Sequence, residues 1–130
     1  MPWVFKNFVS KRGNNEIRLW INRQSSPVRA KIDGRIRYLQ GVDQLKYPYV
    51  EKWVGEKDLY EVRVVFGNVQ YRSLGCYGPD REEFTLLIGA IEKGGKLEPR
   101  DAVATAKTRM KLIADGSHIC DHFGRNRTSK

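Results

Sequence analysis

Three consecutive segments, residues 59–66, 69–77 and 84–92, place apolar side chains at every second position, and the spacing turns helical on both sides of them. Alternation at period two marks a strand with one buried face, whereas recurrence at three and four residues marks a helix. Upstream, PWVFKNFV (residues 2–9) is dense in aromatic and β-branched residues and predicts a further strand. Asn14 and Asn15 suit the cap of a short helix over EIRLWINRQ (16–24), where Ile17, Trp20 and Ile21 share a face. Ser26-Pro27 starts a second helix, residues 26–42, with Val28, Ile32, Ile36 and Leu39 as its apolar stripe. Arg29, Lys31, Arg35 and Arg37 fall off that stripe and make the outer surface basic.

Residues 43–58 have mixed polarity, a proline and no sustained period, so they read as a connecting loop. GPDREE forms the turn before the third strand, and GGKLEP breaks the chain. Pro99 then opens a last helix with Ala102, Val103, Ala106, Met110 and Ile113 on one side. The resulting order, β-α-α-β-β-β-α, is an α+β domain over residues 1–116, with an antiparallel meander packed on two N-terminal helices. Residues 117–130 read as a basic, poorly ordered tail. Alternation puts Tyr60, Val62, Val64, Tyr71, Phe84, Leu86, Ile88 and Ala90 on the face toward the helices. Glu61, Arg63, Gln70, Arg72, Leu74, Gly89 and Lys93 fall on the other face.

Gly67-Asn68, between the first two of these strands, suits a two-residue hairpin turn. Pairing Phe66 with Val69 then sets Val65 opposite Gln70, Val64 opposite Tyr71 and Arg63 opposite Arg72. Like charges facing each other at about 5 Å repel. Either nearby acids neutralise the two arginines or the site exists to hold an anion.

The formal charge of +9 draws the chain toward nucleic acid, an acidic protein or an anionic surface. Residues 1–58 carry net +6, residues 59–95 net −1 and residues 96–130 net +4, so the few cations of the central strands are placed rather than merely solubilising. No apolar run reaches the roughly 20 residues of a membrane helix, which together with two cysteines unsuited to a disulfide framework predicts a cytoplasmic protein. His118, Cys120 and His122, at alternate positions, match no standard zinc spacing. GGK at 94–96 lacks the spacing of a phosphate loop. Neither a metal nor a cofactor is expected.

LYEVRV, then YR on the next strand, then an apolar strand running into IEKGGKLEP and a helix beginning EPRDAVATAKTR form one pattern. Over residues 45–113 it resembles the RelE/HigB superfamily of bacterial toxins, in particular its phage-derived branch, and the N-terminal third matches in the order of its elements. The resemblance implies the same β-α-α-β-β-β-α fold and a cognate antitoxin, expected to be of helix-turn-helix type. It also implies translation inhibition through ribosome-dependent cleavage of mRNA, although other members of the wider superfamily inhibit DNA gyrase. Arg72 stands where such toxins place the strand arginine that contacts the scissile phosphate. Arg63 and Glu61 occupy positions where some members carry lysines, and Lys93 matches one of two paired basic residues, with Glu92 in place of its neighbour.

The catalytic set so implied is Arg72, Arg63, Glu61 and Lys93. A guanidinium suits the phosphate because it stays charged and grips two oxygens. Glu61 is the one strand carboxylate placed to act as base; alternatively it neutralises Arg72 on a solvated sheet face. Lys96 adds charge from the strand end, and Arg29, Arg35, Arg37 and Lys52 are candidates for phosphate contacts without sequence readout. Tyr47, Tyr49 and Trp53 either stack on bases or pack the long loop. Two further readings stay open: a non-enzymatic gyrase inhibitor, and a phage-derived accessory protein that binds nucleic acid without cutting it.

Overall fold

The β-branched and aromatic runs flanking Gly67-Asn68 pair as a hairpin in the expected register, Phe66 with Val69 through Arg63 with Arg72. Gly67 supplies the positive φ, 62°, that a primed two-residue turn requires at its first position. The structure is a computed structural model that describes residues 3–123. Its elements run β1 (Val4–Phe8), α1 (Glu16–Asn22), α2 (Ser26–Leu39), β2 (Val50–Lys52), β3 (Tyr60–Phe66), β4 (Val69–Tyr77), β5 (Glu83–Lys93), β6 (Lys96–Glu98), α3 (Ala102–Ile113) and β7 (Ile119–Asp121). The fold is α+β, as expected. Strand order is β2-β3-β4-β5-β1-β7 with β6 paired to β5, and only β1 and β5 run parallel.

Three short strands lie where the sequence predicts none. β2 falls inside the expected loop and pairs antiparallel with β3. β6 turns the expected break into a hairpin across Gly94-Gly95, setting Lys93 opposite Lys96. β7 lies in the expected tail and pairs with Lys6–Phe8 of β1, so residues 117–123 are ordered; the rest of that tail, 124–130, lies outside the described residues. Helix boundaries also shift: α2 stops at Leu39, and α3 begins at Ala102 rather than at Pro99. Asn15 caps α1 by accepting a hydrogen bond from the Arg18 backbone N–H.

Both faces of the sheet are covered. On one, Ile17, Trp20 and Ile21 of α1 and Val28, Ile32, Ile36 and Leu39 of α2 pack on Phe5, Val62, Val64, Phe84 and Leu86. On the other, Ala102, Ala106 and Ile113 of α3 pack on Phe8, Leu74, Leu87 and Ala90, with Trp53 against the cluster. The division departs from simple alternation in β5. Leu86 pairs with Gly75 and Ile88 with Leu74, leaving Leu87 as an extra, unpaired residue in a β-bulge. Ile88 and Ala90, expected on the α1–α2 side, therefore point toward α3, and Gly89 faces Trp20 instead. Arg109 of α3 donates from Nη1 to the Leu87 carbonyl at 2.9 Å, tying the helix to the bulge.

The indole of Trp20 covers Gly89 so closely that a Cβ there would lie 2.0 Å from the ring. Alanine at an ordinary strand position is better tolerated than glycine, so the sign of one substitution tests this contact. Gly89→Ala is expected to lower stability by about 2–3 kcal/mol in urea unfolding, the cost of overpacking a filled core. A neutral or stabilising result would mean that Trp20 does not sit on the strand.

Candidate functional site

The β3–β4 hairpin does bring Arg63 and Arg72 face to face, and acids neutralise both. Arg63 Nη2 lies 2.6 Å from Glu51 Oε1, a carboxylate contributed by β2. Arg72 Nη1 donates to Glu61, while its Nη2 reaches Gln70 Oε1 at 2.7 Å and Glu92 Oε1 at 2.6 Å. Three carboxylates thus surround two guanidinium groups. The face is not solvated as the sequence suggests: Glu61 is only 6% exposed, and the Arg72 side chain 13%. The Nε atoms of both arginines are buried without a hydrogen-bond partner among the described residues.

The bulge decides which charges meet here. Because Arg72 pairs with Ala90 and Gln70 with Glu92, the carboxylate of Glu92 shares the arginine face. Lys93, the next residue along, falls on the opposite face, so the expected cluster of Arg63, Arg72 and Lys93 does not form. Lys93 and Lys96 instead stand exposed beside each other at the β5–β6 turn.

The nucleic-acid candidates also separate. Arg29 Nη1 donates to the Gln24 carbonyl at 2.7 Å, closing the end of α1. The Arg37 guanidinium lies 4.6 Å from the centroid of Phe123. Lys52 is exposed on the edge strand β2. Arg35 alone joins the hairpin, donating to the Arg63 carbonyl at 2.7 Å with its guanidinium 4.0 Å above the Tyr49 ring.

A polar network that the sequence does not announce links the C-terminal strand to the helices. His122 is 2% exposed; its Nδ1 lies 2.8 Å from Asn7 Oδ1 and its Nε2 2.8 Å from Asp33 Oδ1. Arg18 grips both oxygens of Asp33, at 2.9 and 3.0 Å. The orientations interlock: the Arg18 backbone N–H fixes Asn15 Oδ1 as an acceptor, Asn7 Nδ2 donates to that same oxygen, and Asn7 Oδ1 is left to accept from His122 Nδ1, so Nε2 also donates to Asp33 only when the ring carries both protons. His118 turns elsewhere, to the Val9 carbonyl, and Cys120 accepts from Asn15, so the three tail side chains share no common centre. The one signal for this strand is the alternation in HICDH, too short to weigh against the polar sequence around it.

Burial pushes the His122 pKa below its ordinary 6.5, against the pull of Asp33 and with the help of the Arg18 charge. For Asp33, burial works upward, but hydrogen bonds from His122 and Arg18 outweigh it and hold the carboxyl far below the usual range. Both groups bind protons less readily folded than unfolded, so the unfolded state is favoured as pH falls. Stability should drop first below about pH 6.5 through His122 and again below about pH 4 through Asp33. Urea midpoints between pH 8 and 3.5 read this directly, and Asp33→Asn should flatten the lower limb. A chain that gains stability from pH 8 to 5.5 would instead hold His122 protonated.

Comparison with curated proteins and with solved structures gives no significant match. A family model, "Phage derived protein Gp49-like (DUF891)", matches residues 19–111, a span that runs from within α1 to near the end of α3 and contains both arginines with their acidic partners on β2, β3 and β5. The chain belongs to this Gp49-like, phage-derived family.

Proposed function

We propose that the chain is the toxin of a toxin–antitoxin pair and inhibits translation as a ribosome-dependent mRNA endoribonuclease. The observation that carries this reading is the family match over residues 19–111, the Gp49-like family being one of RelE/HigB-like toxins. The partner is a cognate antitoxin, expected to be of helix-turn-helix type. An acidic antitoxin segment would complement the charge of +9.

Cleavage by attack of a 2′-hydroxyl needs charge stabilisation at the phosphate as well as proton transfer. Arg72 suits the first role through its Nη2 edge, where Glu92, 28% exposed by its side chain, is the partner a phosphate would displace. Arg63 flanks it. Glu61 is buried behind Arg72, on Nη1, a position that suits orienting the guanidinium rather than taking a proton from substrate. Lys93 contributes no contact to this centre, and the proton acceptor would come from the ribosome-bound complex.

The same geometry favours a second reading, a binder that acts without chemistry, as a gyrase inhibitor or a nucleic-acid-binding accessory protein. Three acids on two arginines, leaving neither guanidinium free of a carboxylate, are what such a binder would tolerate.

Brief expression of the chain alone should arrest growth, co-expression of the antitoxin should restore it, and primer extension on translated mRNA should reveal new 5′ ends. Growth arrest with intact mRNA would transfer the case to the binder. Arg72→Lys keeps the charge opposite Glu61 but loses the two-pronged grip, and should lower cleavage by about 10²-fold. Arg72→Ala is a poorer probe, since a buried carboxylate stripped of its partner costs about 3–5 kcal/mol of stability. Glu61→Gln should lower single-turnover cleavage by much less than the roughly 10²–10⁴-fold loss that follows removal of a general base. A loss in that range would make Glu61 the base after all.

A further inference from the structure

A groove runs along the outer flank of α2, between that helix and the 43–49 segment leading into β2. Three adjoining hollows, of about 260, 420 and 540 Å³, make it up, and Tyr49 lines all three. It begins at Arg63 and Val65 beside the hairpin, passes Lys31 and Arg35, and opens between Tyr38, Lys46 and Tyr47. Four cations line it against one acid, Asp43.

The charges differ from those on the sheet. Arg72 and Arg63 are held by carboxylates, whereas Lys31, Arg35 and Lys46 form no ion pair among the described residues. Arg35 is nevertheless fixed in place, by its bond to the Arg63 carbonyl and by the Tyr49 ring beneath it. The aromatic faces are equally available: Tyr47 is 69% exposed and Tyr38 56%, with Tyr38 meeting Tyr49 edge-on at 5.7 Å. Single exposed aromatic side chains are ordinary on a protein surface, but Tyr38, Tyr47 and Tyr49 line one groove together, and a contiguous exposed patch marks an interaction site. Cations alone would serve any anionic partner. Cations interleaved with open aromatic rings match single-stranded nucleic acid, whose phosphates take the charge and whose bases take the rings.

We propose that this groove binds a short single-stranded RNA segment, with bases stacked on Tyr47 and Tyr38 and phosphates held by Lys31, Arg35 and Lys46. It deepens the toxin reading and rests on it for the choice of RNA: nucleotides in the groove would flank the phosphate offered to Arg63 and Arg72. The groove does not depend on the chemistry of cleavage.

The purified full chain is titrated into a fluorescein-labelled oligouridylate of about eight nucleotides, at several salt concentrations, with fluorescence anisotropy as readout. Tyr47→Ala should weaken binding about tenfold, the loss of one stacked base, without moving the thermal midpoint. Lys31→Gln and Lys46→Gln should each reduce the salt slope by about 0.7, one phosphate contact on a single strand. Unchanged affinity in Tyr47→Ala overturns the proposal. So does a polyglutamate peptide that binds as tightly as the RNA and competes with it, which would assign the groove to an acidic protein segment. Cleavage on programmed ribosomes is measured in parallel. Cleavage by the wild type with no effect of Tyr47→Ala on oligouridylate binding rejects the groove and leaves the nuclease standing; Tyr47-dependent binding without cleavage rejects the nuclease and leaves the groove.

Discussion

One extra residue in β5 decides both the packing and the electrostatics of this molecule. Leu87 has no partner on β4, and from that point the strand presents the opposite parity to each face of the sheet. Before the bulge Phe84 and Leu86 pack toward α1 and α2; after it Ile88 and Ala90 pack toward α3, while Gly89 comes under Trp20. The bulge therefore lets one strand serve two cores. It also sets Glu92 on the face of Arg72. In an unbroken ladder Glu92 would point away, and the hairpin arginines would lose one of three neutralising acids. Arg109 helps hold the device in place by bonding the Leu87 carbonyl, so a cation of α3 bears indirectly on the ion pair between Glu92 of the same strand and Arg72 of the adjacent one.

Two arginines opposed across a hairpin are repulsive, and the neighbouring acids remove the repulsion at the cost of desolvating themselves. Glu61 is nearly inaccessible, and burying such a carboxylate is tolerable only because Arg72 is bonded to it. The arrangement is rigid, with Gln70, Glu61 and Glu92 together fixing the Arg72 plane. Rigidity of this kind is what a phosphate-contacting arginine needs, since its geometry is then set before any substrate arrives. Neutralisation works the other way, because any anion approaching Arg72 would have to compete with a carboxylate already in place. The Nη2 side, shared by Gln70 and the partly exposed Glu92, is where that competition would occur.

The hairpin register was legible in the chain because Gly67-Asn68 names its own turn, and the helical stripes were legible because Val28, Ile32, Ile36 and Leu39 repeat cleanly. The bulge was not. LLIGAI offers apolar or small residues at every position from 86 to 91, so either parity buries something acceptable and alternation loses its meaning there. Unbroken alternation sets Lys93 on the face of Arg72, and the one-residue slip at Leu87 puts Glu92 there instead. β2, β6 and β7, three residues each, exist through pairing with a neighbour rather than through local propensity, which is why no run of residues predicted them. The buried seat of His122 is similar: it depends on Asn7, Asp33 and Arg18, brought together only once β7 has docked on β1.

The charge of +9 takes on a shape once the acids are located. Glu51, Glu61 and Glu92 lie against the hairpin arginines, and Asp33 lies against Arg18 and His122, so these cations add little to the external field. Among the cations without an ion pair among the described residues, Lys31, Arg35 and Lys46 share one groove on the flank of α2 and the loop beyond it. The molecule thus divides its cations into two populations with different physics. Those with carboxylate partners on the sheet are partly desolvated, so added salt screens them weakly. Those on α2 face water, act over roughly a Debye length and fade as salt rises. Any polyanion approaching this protein would first feel the second population, and would reach the first only by displacing an acid already bound. Attraction and fixed geometry are supplied by different residues, which meet where Arg35 bonds the carbonyl of Arg63.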